Sequence, residues 1–193
     1  MGGVRGLARG MTLVELMLGL AITTVIGGAI VAMLFAVSRG ADEDTDLRSL
    51  VARGKRVHAA STAALRGSRE LLDIDSQRLV LWYRDADDDG RIDADELRAI
   101  DYAADASELR WYEPTDTVPD AEHEASADFL AVVDGLIESG GLAPRTWAGG
   151  VAGFSLALDE DEPAAAKLAS YRLILREGRL EHEAVAAVAM RNR

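Results

Sequence analysis

Seven acidic side chains fall within the twelve residues Asp85-Ala86-Asp87-Asp88-Asp89-Gly90-Arg91-Ile92-Asp93-Ala94-Asp95-Glu96. Carboxylates crowded this closely repel one another unless a cation sits among them. Their spacing is that of a calcium loop. Asp85, Asp87 and Asp89 stand at positions one, three and five, and Gly90 at six permits the sharp turn. Arg91 would offer only its backbone carbonyl, Asp93 would act directly or through water, and Glu96 would close the site with both oxygens. A structural Ca2+ is therefore expected here. The residues leave a second reading open, an acidic surface turn that binds nothing. A signalling switch is not expected, because there is no second loop and no Met-rich groove to expose.

A second carboxylate stands in an unusual place. From Met11 to Val37 the sole ionisable side chain is Glu15. A helix of that length reaches about 40 Å, more than the ~30 Å hydrocarbon core of a bilayer. Arg5 and Arg9 precede the stretch without an acid; Arg39 and then Asp42, Glu43, Asp44 and Asp46 follow it. The positive-inside rule keeps the first ten residues cytoplasmic and sends the chain beyond Ser38 outward. A secretory signal peptide fits poorly, since the apolar stretch is about twice too long and no A-x-A-like site follows it. A bare carboxylate at the centre of a membrane helix costs about 2.5–3.5 kcal/mol, so Glu15 needs a partner.

The junction Arg9-Gly10-Met11-Thr12-Leu13-Val14-Glu15-Leu16-Met17 resembles the cleavage and methylation segment of the type IV pilin-like family, which includes type II secretion pseudopilins. The resemblance implies cutting after Gly10 by a prepilin peptidase and methylation of the new amino terminus at Met11. It also implies that Glu15 pairs with the amino terminus of a neighbouring subunit during assembly. Gly10 suits a protease that needs an unobstructed extended strand. Two features depart from the commoner pattern. Met11 replaces a phenylalanine, and Gly27-Gly28 lie where many major pilins have a proline. Both tilt the resemblance toward a minor pilin or minor pseudopilin, of the J or W type. The short Val188-Ala189-Met190-Arg191-Asn192 run resembles the last strand of such subunits. A stand-alone, membrane-tethered calcium-binding module that never polymerises is the alternative. Its tether would have no use for Glu15.

Composition sets further bounds. The 193 residues leave room for one domain and an anchor. A net charge of −12 disfavours binding to nucleic acid, and no basic run offsets it. The chain has no cysteine, which removes disulfides, thiol catalysis and Cys-ligated zinc without excluding export. His58, His123 and His182 lack metal-ligand spacing, and no G-x-S-x-G, P-loop or G-x-G-x-x-G occurs. No enzyme is expected. Trp82, Trp111 and Trp147 are read as core or sheet-face residues.

The elements that must position these groups follow from periodicity. After a leader over residues 1–10 and a membrane helix over 11–37, an amphipathic stem over 38–66 shows Leu47, Leu50, Val51, Val57 and Leu65 on one face. Gly67 and Ser68 end it. The exported domain, 67–193, then changes period. Strands are expected at Arg78–Tyr83, Leu97–Tyr102, Glu108–Tyr112, Val151–Leu158, Ala169–Arg176 and Leu180–Met190. Residues 113–126 read as a surface loop, and Ala127–Ile137 as a short helix stopped by Gly140-Gly141. The plan is α+β: a long helix on a small antiparallel sheet, with the acidic loop in a strand connection.

Overall fold

The computed structural model describes residues 12–190, the side chains of 38–44 excepted. The leader, Gly10 and Met11 lie outside the described residues, as do Arg191 and Asn192. The described chain is α+β and divides into two compact units between Thr45 and Asp46.

The first unit holds the start of α1 (Leu13–Gly67). Leu13–Val37 is one helix long and apolar enough to cross a membrane, with a mean hydropathy of 2.4 and none of it buried. Its few hydroxyls are satisfied within the helix: Thr23 donates to Gly19 O at 2.9 Å and Thr24 to Ala21 O at 2.8 Å. That internal pairing is what a hydrocarbon environment demands. The helix passes through Gly27-Gly28 without a break.

The second unit is built on three antiparallel sheets rather than the single small sheet expected. Five strands run in the order β1 (Glu70–Ile74), β2 (Arg78–Trp82), β4 (Leu97–Ala103), β5 (Glu108–Pro114) and β7 (Leu142–Gly149). Another sheet is β10 (Leu180–Ala189), β9 (Leu168–Glu177) and β8 (Val151–Leu158). The third pairs β3 (Ile92–Asp93) with β6 (Glu122–His123), inside the segment expected to be loop only. Neither β1 nor β7 was expected either.

The centre of the five-stranded sheet is buried on both faces, which explains the continuous apolar run of β2. Leu79 and Leu81 point to one core, with Leu50, Val57, Ala64 and Leu65 of α1 and with Leu173 and Leu175 of β9. Val80 and Trp82 point to another, with Phe129, Val133 and Leu136 of α2 (Phe129–Glu138). Buried positions of α1 at Leu50, Gly54, Val57, Ser61 and Ala64 recur every three to four residues along one face. Leu47, expected on that face, is 43% exposed. Gly54 lies on the same stripe, where a Cβ would come within 2.8 Å of the His182 ring.

Both ends of α2 are specified locally. Asp128 caps the first turn, accepting from Ala131 N at 3.0 Å. At the other end Gly140 takes the left-handed φ of 78°, which lets the chain leave the helix at little steric cost. Residues 159–166, expected as a loop, contain a short 3₁₀ turn at Pro163–Ala165.

Candidate metal centre

Antiparallel pairing of β2 with β4 sets the base of the acidic loop. Trp82 lies opposite Leu97, and Tyr83 N donates to Glu96 O at 3.0 Å. The twelve residues 85–96 therefore connect two strands of a sheet. Within the loop, Asp88 and Gly90 adopt left-handed φ of 61° and 78°. Position six thus has the glycine that its backbone requires. On the far side, Ile92 pairs with His123 and Asp93 with Glu122, while Ala94 N donates to Ala121 O at 3.0 Å. The β6 segment props the second half of the loop.

The first three expected ligands converge. Asp85, Asp87 and Asp89 each offer a carboxylate oxygen, and these oxygens lie within 4.8 Å of one another. Backbone amides help to hold them: Gly90 N donates to Asp85 Oδ2 at 3.1 Å, Asp89 N to Asp87 Oδ1 at 3.2 Å and Arg91 N to Asp89 Oδ1 at 2.8 Å. Asp85 is the most enclosed, its side chain only 5% exposed. Its Oδ1 is buried with no hydrogen-bond partner. A buried carboxylate oxygen without a donor is expensive, and a bound cation is one of the few things that relieve it.

Asp93 adds to the negative charge. Burial, and then the charges of Asp89, Glu96, Asp87 and Asp95, push its carboxyl above the ordinary range. A cavity of about 250 Å³, lined by Asp87, Asp93, Asp95 and Asp120, opens beside it. Arg91 turns its guanidinium outward to Glu122, with Nη1 to Oε2 at 2.6 Å. A guanidinium has no lone pair to offer a metal, so the backbone carbonyl is the group through which Arg91 could serve one.

Glu96 sits differently from the expectation of a bidentate ligand facing an ion. It is buried, at 4% exposure, and both oxygens already accept protein hydrogen bonds. Trp82 Nε1 donates to Oε2 at 2.8 Å, and the Ala86 amide donates to Oε1. A carboxylate oxygen keeps a second lone pair, so these bonds orient Glu96 without using up its capacity to bind a cation. The donor set fits calcium: oxygen only, several carboxylates, and one buried oxygen lacking a partner.

Two residues that sequence reasoning missed complete the centre. Arg69 Nη1 ion-pairs with Asp85 Oδ2, and its guanidinium carbon lies 4.3 Å above the Trp82 ring. Trp82 thus touches both Arg69 and Glu96. Arg69 lies sixteen residues before Asp85 in sequence and carries no motif, so no local signal marks it. Its place follows from β1 pairing with β2, and Arg69 N donates to Trp82 O at 2.8 Å.

Glu15, the remaining described site residue, closes a capping box at the start of α1. Thr12 N donates to Glu15 Oε2 at 2.9 Å and Thr12 Oγ1 to the same oxygen at 3.0 Å. Glu15 N in turn donates to Thr12 Oγ1 at 3.3 Å. Reciprocal bonds of this kind satisfy two of the helix's free amides. Each histidine meets a neighbouring ring or helix: His58, exposed on α1, has Nδ1 2.6 Å from the Tyr171 hydroxyl, His123 meets Phe129 edge-on, and His182 lies against Gly54. Trp111 stacks on Trp147 at 5.0 Å.

No protein-family model matches the chain, and neither a curated protein nor a solved structure matches it. The functional reading therefore rests on the residues and their geometry.

Proposed function

We propose that this chain is a minor structural subunit of an envelope filament, a type IV pilus or a type II secretion pseudopilus. The observation that carries the reading is α1 itself. One helix holds an apolar span with a single carboxylate, Glu15, near its start, and its later turns contribute Leu50, Val57 and Leu65 to a core. The Arg9–Met17 junction supplies the processing signal that a plain anchor lacks. In this reading the chain enters the inner membrane once, with its amino terminus cytoplasmic and its α+β unit outside. Membrane lipid, a prepilin peptidase and other pilin or pseudopilin subunits are its partners.

Calcium belongs to the same proposal. Asp85, Asp87, Asp89 and Asp93, with the Arg91 carbonyl and Glu96, would hold one Ca2+ that offsets part of the negative charge of the loop between β2 and β4. The support is twofold: the carboxylates of Asp85, Asp87 and Asp89 converge, and Oδ1 of Asp85 is buried without a partner. An ion in that position would be structural, bracing the loop that connects the two strands.

The decisive experiment is mass spectrometry of the mature amino terminus from membranes containing a prepilin peptidase. The expected product starts at Met11 and carries an N-methyl group. An intact Met1, or a cut beyond Val37, overturns the pilin reading. A tethered module that never assembles is favoured if Met1 is retained while calcium still binds.

A further inference from the structure

A positive charge already touches the acidic loop, and it comes from outside the loop. Arg69 follows the end of α1 at Gly67 and Ser68, and its guanidinium reaches Asp85, the carboxylate with the buried partnerless oxygen. The flat face of Trp82 supports the guanidinium at 4.3 Å. The same indole donates to Glu96 Oε2 at 2.8 Å, so one ring touches the arginine on its face and the twelfth loop residue at its edge. A cavity of about 470 Å³ adjoins the pair, lined by Arg66, Tyr83, Arg84 and Asp88 among others. It gives the arginine head group somewhere to go.

From this arrangement we infer that Arg69 is a built-in counter-cation that exchanges with the metal ion. The inference rests on the calcium reading above and concerns how that site is regulated. Two cations on one carboxylate repel each other, so a divalent ion at Asp85 Oδ1 loosens the hold of Arg69 on Oδ2, and the arginine in turn weakens the ion. Withdrawal costs one ion pair and leaves the guanidinium over Trp82 or in the adjoining cavity, where Asp88 is within the lining. Exchange has two consequences. The loop keeps its fold when calcium is scarce, because Arg69 supplies part of the missing charge. Calcium affinity is also held down by the competing arginine, which sets the site for the high calcium levels met outside cells. Because Arg69 immediately follows the end of α1, the exchange is felt at the junction of α1 with β1.

The test compares full-length wild type with Arg69→Met and Arg69→Lys, all in detergent micelles, by calorimetric titration with calcium chloride. Methionine keeps apolar contact with Trp82 and removes the charge; lysine keeps a charge. The expected result is a Kd tighter by about fivefold in Arg69→Met, the weight of one partly exposed ion pair, and close to wild type in Arg69→Lys. Thermal unfolding in chelator should fall for Arg69→Met and recover with calcium. An unchanged or weaker Kd in Arg69→Met, with wild type binding normally, overturns the exchange. If wild type takes up no calcium at about 10 mM but Arg69→Met does, exchange holds in its strongest form. If neither binds, the calcium reading falls and the exchange with it. Should Arg69→Met fail to fold, the wild-type Arg69 Nε–Hε resonance decides. It must shift saturably with calcium, and a resonance unmoved while calcium binds overturns the exchange.

Discussion

Trp82 Nε1 donates to Glu96 Oε2 at 2.8 Å, and this bond ties the last residue of the acidic loop to the strand before it. The Ala86 amide holds the other Glu96 oxygen. A residue whose position in the loop reads as a metal ligand therefore also braces the loop from beneath. The two roles predict different behaviour without metal.

Glu96→Gln separates them. Glutamine has one accepting oxygen, so either the Trp82 or the Ala86 N–H faces a donor in a buried place. A lost acceptor of this kind costs about 1–3 kcal/mol. The expected loss appears in chelator as well as in calcium, read by urea unfolding of the full chain in micelles. A loss confined to calcium-containing buffer would assign Glu96 to the metal alone.

Calcium itself should stabilise the fold. A ligand that binds only the native state adds RT ln(1 + [L]/Kd), about 1.4 kcal/mol at a tenfold excess. Melting should therefore rise with calcium and fall with chelator, and Asp85→Ala should abolish the difference. Magnesium should do less, because it holds its waters and prefers six tight ligands. A melting point indifferent to chelator would reduce the loop to an acidic turn.

Protonation gives an independent reading of the same crowding. The Asp93 carboxyl is pushed up from its ordinary value of 3.8 by burial and then by its acidic neighbours. Between the ordinary and the raised value the folded state binds more protons than the unfolded state, so stability falls as pH rises through that window. In chelator, Asp93→Asn should remove this penalty and raise the melting point at neutral pH. With calcium present the same change should lower it, because a ligand is lost. The sign reversal is the signature, and equal effects in both buffers would exclude Asp93 from the centre.

Gly54 and His182 test how closely α1 approaches β10. A Cβ on Gly54 would come within 2.8 Å of the imidazole ring, a separation that forces the ring to move. Gly54→Ala should therefore destabilise the domain despite alanine's better helix propensity. In a His182→Ala background the same substitution should stabilise by about 0.8–1.0 kcal/mol, the propensity difference alone. Additivity of the two changes would show that the contact carries no strain.

On the proposed reading assembly turns on Glu15, and that role can be told apart from helix capping. Glu15→Leu should insert normally, since it makes the span more apolar, yet fail to cross-link to partner subunits. Thr12→Val removes the hydroxyl of the capping box while keeping the carboxylate. It should retain assembly. Equal defects in both variants would mean that Glu15 matters for the cap and not for a neighbouring charge.

Several features were legible in the chain before folding because short-range chemistry dictates them. A run to Val37 with Glu15 as its one ionisable side chain makes a helix that is apolar all round beyond its first turn, whatever follows it. Gly140, expected to stop α2, does so in a left-handed turn, whereas Asp128, expected inside the helix, is its cap. Alternating aspartates around Gly90 bend the acidic loop by backbone preference alone. The two edge strands of the five-stranded sheet carried a weaker signal than β8 and β10, the edges of the three-stranded sheet, which were both expected. β1 and β7 each pair with one neighbour only, so their patterns are less uniformly apolar, and Pro144 is tolerated in β7 because one side of that strand has no ladder to break. Long-range partners left no signal in the sequence. Arg69 meets Asp85 across sixteen residues because β1 pairs with β2, and Glu96 meets Trp82 because β2 pairs with β4. Sequence spacing determined which side chains could serve a cation; strand pairing decided which of them also brace the loop and which arginine stands against it.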